Sequence, residues 1–357
     1  MGRPLSLYIG GWMDDSGCME VAGGQITESS GAVRHRKRWV TLVAWVVSLV
    51  CFAGCASWVV SDGVYVLDLA AGFLWIGVVV SVLVGLVLFG LKRWGAGLVC
   101  VVGVLVGAWP MLAGRPMVVE RGGIGDVVVT VGSLNIYPLN EGWRDDLDVL
   151  MRLGLDVVVI QEISPEMNRM VSKYGYLDDK AMRYWVKRRW RDGEVSPGLI
   201  VSRYPLELIA PDEGDEMGEH QLLCIADHPD KRFVVGLVHP FSPRSADRWE
   251  AGNSAVESHQ EQIARAMDLT GLDVVVGADL NAAGAQVRAR LMRGAGLRAS
   301  KPIWPIQSGS FPADKSPLVR LQLDDVWRSE GVGVESWEMF EVGGSDHLGV
   351  VARFILN

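Results

Sequence analysis

The stretch Leu272-Asp-Val-Val-Val-Gly-Ala-Asp-Leu-Asn-Ala282 decides how the rest of the chain is read. Val274 to Val276 are β-branched and uninterrupted, the pattern of a strand buried on both faces rather than on one. Gly277 and Ala278 are small enough for another group to approach closely. Asp279 and Asn281 follow two residues apart, a spacing that puts both side chains on one side of an extended chain. A carboxylate and a carboxamide closing a buried strand form a polar pair in an apolar frame, which costs free energy unless something binds it. An Asx turn that ends the strand accounts for the same two residues. The stretch is therefore weighed together with others like it.

Working outward, further segments carry polar groups at or beside their ends. Residues 126–136 read as a strand closing on Ser133 and Asn135, and residues 155–162 as a buried strand whose last residue is Glu162. Residues 233–238 form an apolar run that stops at His239. Asp346 and His347 stand just before a final strand, 348–354, and residues 321–326 offer Asp324 and Asp325. Helical spacing appears at 144–153 and 257–269, so strands and helices alternate, as in an α/β domain. Ligands of α/β sheets gather at one end of the strands, so repeated polar endings suggest a shared pocket. Carboxylate and amide oxygens without a Cys or His cluster favour a hard cation, Mg²⁺ or Mn²⁺, over zinc.

The chain has 357 residues, 49% of them hydrophobic, and the excess sits toward the N-terminus. Residues 39–61, 72–91 and 95–114 contain no charged side chain. Each is long enough to cross a ~30 Å hydrocarbon core as a helix, so three transmembrane helices are expected within residues 39–114, after a tail formed by residues 1–38. Arg34, Arg36, Lys37 and Arg38 abut the first span, and Lys92 and Arg93 lie between the second and third. The connection carrying Asp62 and Asp68 has no Lys or Arg. The positive-inside bias puts the tail in the cytoplasm and residues 115–357 on the extracytoplasmic side.

From Met117 onward, 26 Lys and Arg face 36 Asp and Glu, a net charge of −10. That balance disfavours loose electrostatic binding to nucleic acid. Cys224 is the one cysteine of this part, so it has no internal disulfide.

In order along the chain, Asn135, Gln161-Glu162, Ser202-Arg-Tyr-Pro205, His239, Asp279-Leu-Asn281, Leu323-Asp324 and Ser345-Asp-His347 resemble the motifs of the endonuclease/exonuclease/phosphatase superfamily, the DNase I-like fold. The resemblance covers residues 127–355, and three apolar spans ahead of such a domain are similar to a membrane-anchored bacterial branch. It implies a two-sheet α/β sandwich behind the three-helix transmembrane region, and Mg²⁺-dependent hydrolysis of a phosphodiester. It also implies roles. Glu162, Asn135 and Asp346 lie at or near the metal; Asp279 orients or deprotonates the attacking water; Asn281 and His239 hold the phosphate. His347 donates to a phosphate oxygen or acts as acid/base. Adjacent strand residues face opposite ways, so Asp346 is poorly placed to pair with His347, and the resemblance nominates Asp324 to fix its tautomer. Ala278, Val238 and Asp325 depart from the usual pattern without removing a reacting group. Asp325 is expected to point away, tolerating Asn, while its charge crowds the floor near His347.

The substrate classes left open are nucleic acid, a lipid head group and a small phosphoester, with the lipid bilayer as the other partner and no protein partner expected. Residues 184–191 mix Trp185 and Trp190 with Lys187, Arg188, Arg189 and Arg191. Such a stretch suits a phosphate backbone or a membrane surface, and equally an edge strand guarded against aggregation. A different class of function is a non-catalytic, membrane-bound binding or scaffold domain. Retention of Glu162, Asp279, Asn281 and His347 together speaks against it.

Overall fold

The valine runs lie where burial on both faces requires them, in the middle of two six-stranded sheets stacked face to face. The computed structural model describes residues 30–123, 125–174, 177, 182–187, 198–209, 221–304 and 308–357. One sheet has the order Gly333–Phe340 (β11), Gly349–Leu356 (β12), Val127–Asn135 (β1), Val157–Gln161 (β2), Leu199–Ser202 (β4) and Tyr184–Lys187 (β3). The other has the order Leu206–Leu208 (β5), Gln221–Ala226 (β6), Phe233–Val238 (β7), Val274–Asp279 (β8), Asp324–Ser329 (β10) and Leu297–Ala299 (β9).

Each sheet is centred on a parallel pair, β1 with β2 and β7 with β8. Parallel neighbours need a crossover. Trp143–Arg152 (α5) makes the first and Ala246–Thr270 (α7) the second. Pro165–Tyr174 (α6) joins α5 outside the first sheet, where Leu147, Leu150 and Met167 are fully buried. Val287–Gly294 (α8) joins α7 outside the second, over Val256, Ile263 and Met292. Val129, Val131, Val159, Val235, Val275 and Phe354 fill the space between the sheets. Full burial of one such side chain contributes about 1.5–3 kcal/mol. The result is that β1, β2, β7 and β8 all end at one rim. There β1 and β2 pair Asn135 with Gln161, and the antiparallel β8 and β10 pair Asp279 with Asp324.

The N-terminal region departs from three straight spans. Ser30–Ala56 (α1) runs on into a 3₁₀ turn, Ser57–Val60, and Trp94–Leu112 (α4) is a second long helix. Lys37–Val60 and Trp94–Leu112 are each long and apolar enough to cross a membrane. Between them Tyr65–Ala71 (α2) and Leu74–Gly90 (α3) meet at a 63° bend, so among the described residues the segments long and apolar enough to cross a membrane number two, or three if the bent pair counts as one.

The bend has a visible cause. Asp68, expected in an open connection, is buried in α2 and accepts hydrogen bonds from Trp249 Nε1 and the Val287 amide, both at 2.8 Å. A carboxylate withdrawn from water persists only with its oxygens satisfied. Tyr65 donates to the Pro243 carbonyl at 2.9 Å, and Arg290 pairs with Asp62 and donates to Ser61 Oγ. Gly72 sits at the elbow, where a Cβ would come within 3.0 Å of Gln286 Oε1. Helix α2 is thus fastened to the sandwich, and the chain must turn before entering α3. Helices α1, α3 and α4 close on Gly107, whose missing side chain leaves room for Val78 and Cys55.

Helix α1 takes in residues 30–38 of the tail, whose Arg and Lys are good helix formers. The rest of the tail lies outside the described residues, as do Arg188, Arg189, Trp190 and Arg191. The described part of that basic stretch is β3, an edge strand.

Candidate active site

The rim where the parallel strands end gathers the polar endings. Asn135 closes β1, Glu162 follows β2, His239 follows β7, Asp279 closes β8, Asp324 opens β10, and His347 precedes β12. Two of these positions are held in the left-handed region, Glu162 (φ 56°) and Asn281 (φ 49°), as is neighbouring Tyr137 (φ 64°). Each costs about 1–3 kcal/mol and persists only where its surroundings dictate it. Asn281 consequently does not continue β8 or share a strand face with Asp279. Its amide donates to Asp279 Oδ1 at 2.8 Å, closing an Asx turn. The turn swings its side chain to within 3.4 Å of His239 Nε2, where it also donates to the Pro240 carbonyl at 3.2 Å. Turn and site are one feature.

Asp279, wholly buried, is the hub. Its Oδ2 accepts from Asn135 Nδ2 at 2.9 Å and lies 3.7 Å from His239 Nε2 and 3.9 Å from His347 Nε2. His239 Nε2 is also 3.2 Å from Glu162 Oε1. On the other side His347 Nδ1 donates to Asp324 Oδ2 at 2.8 Å, which leaves Nε2 facing Asp279. Asp279, Asp324 and His347 each offer one ligand atom within 4.8 Å of the others.

The electrostatics follow from this packing. Burial pulls the His347 pKa down, but the carboxylates of Asp324, Asp279 and Asp346 outweigh it and push the ring up to about 10. His239 is lowered by burial and then raised further by Glu162 and Asp279, for a net upward shift. Burial raises Glu162, but His239, Asn135 and His347 together outweigh it, for a net downward shift. Asp346 is shifted upward, by burial first and then by Glu162 and Asp279. Among the described residues no Lys or Arg lies within ion-pair distance of Glu162, Asp279, Asp324 or Asp346, so histidines are the only cations in contact.

Asn135, Glu162, Asn281, Asp346 and His347 line a cleft of about 380 Å³. Its far wall belongs to the helical region: Leu69 of α2, Gly72 and Phe73. Glu162, Asp346 and Asn135 are the oxygen-bearing residues in its lining that suit a hard divalent cation, with Asn135 Oδ1 also accepting from the Tyr137 amide at 3.1 Å.

Several contributors carried no signal of their own in the sequence. Ser345 Oγ donates to the Asn135 carbonyl at 2.5 Å and accepts from the His347 amide at 2.9 Å, tying β1 to the histidine. It lies inside the Ser345-Asp-His347 motif, which gave it no role. Ser310 Oγ accepts from the amides of Leu323 and Asp324 at 3.2 and 3.1 Å. The Phe311 ring lies 4.6 Å from that of His347. Neither residue belongs to a strand or to a quoted motif.

Asp325 corrects an expectation. It does point away from Asp324, but it is fully engaged. Oδ1 accepts from Trp337 Nε1 at 2.8 Å and from the Val326 amide at 2.9 Å, and Oδ2 accepts from the Lys301 amide at 3.3 Å. It neither crowds the floor under His347 nor stands idle. The Ser202-Arg-Tyr-Pro205 motif lies at the opposite rim, since Ser202 pairs with Val157 at the start of β2.

The family model described as the Endonuclease/Exonuclease/phosphatase family matches residues 126–347. Among curated proteins nothing matches. Similar solved structures include an endonuclease/exonuclease/phosphatase from Beutenbergia cavernae DSM 12333, 19% identical, covering 64% of this chain and 72% of that one with a TM-score of 0.47. Another from Bacteroides vulgatus is 15% identical, covering 65% and 100% with a TM-score of 0.49. TDP2 of D. rerio, complexed with a single strand DNA product, is 13% identical, covering 64% and 99% with a TM-score of 0.46.

Proposed function

The chain belongs to the endonuclease/exonuclease/phosphatase family, whose members are generally hydrolases of phosphoester bonds, and from that premise we propose that it is a membrane-anchored, divalent-metal-dependent phosphodiesterase. The observation that carries the reading is the hub at Asp279, where buried carboxylates meet two raised histidines beside a cleft lined by Glu162, Asn281 and His347. Hydrolysis needs a water oxygen to bond to phosphorus, one P–O ester bond to break, and a proton to pass from the water to the departing oxygen. Asp279 is the group to orient the water and take its proton. His239 and Asn281 hold the phosphate, and protonated His347 directs Nε2–H at a phosphoryl or leaving oxygen while Asp324 fixes its ring. Glu162, Asn135 and Asp346 would hold Mg²⁺ or Mn²⁺, which when bound supplies positive charge to a phosphoryl oxygen.

In this reading residues 1–38 are the cytoplasmic tail, 39–114 the anchor and 115–357 the extracytoplasmic catalytic domain. The two apolar helices and the bent pair support the anchor. The test uses the full chain in detergent with bis(p-nitrophenyl) phosphate. Turnover is expected with Mg²⁺, is abolished by EDTA, and returns when Mg²⁺ is restored. No turnover under any of these conditions leaves a binding or scaffold domain instead.

A further inference from the structure

Where the helical region meets the sandwich there is a second cavity, of about 720 Å³, within the ~300–1,000 Å³ range of small-molecule sites. Leu74 and Trp75 at the start of α3, and Met111 and Leu112 at the end of α4, form one side; Ile303 and Leu318 of the sandwich form the other. It adjoins the catalytic cleft, because Gly72 and Leu321 line both. Glycine at that junction leaves no side chain to close it.

Three cations stand in its wall, Arg115, Lys301 and Arg320, the last donating to the carbonyls of Lys315 and Ala313. Lys301 donates to the Ser308 carbonyl and to Gln322 Oε1, and burial lowers it to about 7. The Arg115 side chain makes no hydrogen bond or ion pair among the described residues, although the Asp325 charge acts on it. Its guanidinium is a planar donor fork, suited to the oxygens that join a phosphate head to its chains.

From this arrangement we infer that the substrate is an amphiphilic phosphodiester drawn from the bilayer, its head in the catalytic cleft and its apolar chain in the junction cavity. The inference rests on the phosphodiesterase reading above and narrows its substrate. The walls come from the ends of α3 and α4 that face the sandwich, which is where a lipid leaving the hydrocarbon would first meet protein. A nucleic acid strand would need an open cationic groove with stacking faces. This cavity is instead walled largely by apolar side chains, and two of its cations, Lys301 and Arg320, are already engaged by carbonyl groups.

The test holds the head constant and varies the chain. Full-length protein in nanodiscs of digalactosyldiacylglycerol, a bilayer lipid with no phosphodiester, turns over bis(p-nitrophenyl) phosphate, and alkyl phosphates from ethyl to dodecyl compete. The inhibition constant should tighten by roughly 100-fold or more across the series, since each buried methylene adds to binding. In Ile303→Trp, which fills the cavity, and Leu318→Asp, which charges its exposed lip, the series should flatten to about tenfold or less, with bis(p-nitrophenyl) phosphate turnover within about twofold of wild type. Partition into the nanodisc is common to all three proteins, so the difference reads the cavity. A flat series in wild type, or equal steepness in the variants, overturns the inference and leaves the phosphodiesterase reading intact. No turnover of bis(p-nitrophenyl) phosphate by wild type removes both.

Discussion

Strand β2 carries a carboxylate at each end, and the two are treated differently. Asp156, just before it, has every demand met: Tyr204 Oη donates at 2.9 Å, the Thr130 amide at 2.8 Å, and Arg203 lies 3.5 Å away. Glu162, just after it, adopts a left-handed backbone, faces a histidine rather than an arginine, and shares its surroundings with Asp279 and Asp346. One rim pairs acids with permanent cations and hydroxyls. The other collects acids whose only cationic partners among the described residues are titratable histidines. The second arrangement is costly when empty and favourable when a cation or phosphate enters. Polar strand ends alone do not mark a site; an excess of acid over fixed base at a rim does.

The comparison breaks first at Asp324 and His347. If they act as one unit, Asp324→Asn and His347→Ala should each lower kcat by about 10²–10⁴-fold, some 3–5 kcal/mol of barrier. The double variant should be little worse than the poorer single one. Additive losses in measured kcat would mean that the 2.8 Å contact does not couple them. Glu162→Gln comes next. It should weaken the Mg²⁺ concentration dependence of turnover by about 10–100-fold. The metal-free melting temperature should fall modestly, because the charged carboxylate, whose pKa is lowered chiefly by His239, contributes stability that the amide lacks. A lower melting temperature with unchanged Mg²⁺ dependence would make Glu162 a structural acid like Asp156.

Much of this was legible because the valine runs have a single physical meaning. Val157–Gln161 and Val274–Asp279 are too uniformly apolar for anything but central strands, and the polar group that stops each run had to lie at a strand end. What could not be read was direction. Asp156 and Glu162 bound the same run, and nothing in the sequence says which rim is the site. The Asx turn at Asn281 was weighed as an alternative to a site because spacing cannot show a left-handed residue turning one into the other. Ser310 and Phe311 reach His347 from outside any periodic segment. The bend between α2 and α3 was hidden because hydropathy records apolar length, whereas the bend comes from Asp68 finding Trp249 181 residues away.

Asp325 sharpens the comparison within two residues. Its oxygens accept from three donors, and Asn offers only one acceptor oxygen. Asp325→Asn should cost about 1–3 kcal/mol of stability in thermal or denaturant unfolding. Its kcat should stay near wild type, the reverse of Asp324→Asn.

The smallest effect lies at the satisfied rim. Tyr204→Phe removes the hydroxyl donated to Asp156 and keeps the ring that meets His228 edge-on at 4.6 Å. Asp156 retains Arg203 and the Thr130 amide, so its charge is not stranded, and the expected loss is about 1 kcal/mol rather than the larger cost of an unpaired buried ion. Burial and the Asp156 carboxylate push the phenol up to about 12. Tyrosine is also neutral in the unfolded chain below its ordinary value near ~10. No proton is therefore exchanged with folding between about pH 6 and 9, and the stability difference should stay flat across that range. Metal-dependent turnover should not change at all. A loss of Mg²⁺ dependence in Tyr204→Phe would mean that the two ends of β2 are coupled through the strand and cannot be sorted into a structural rim and a reacting one.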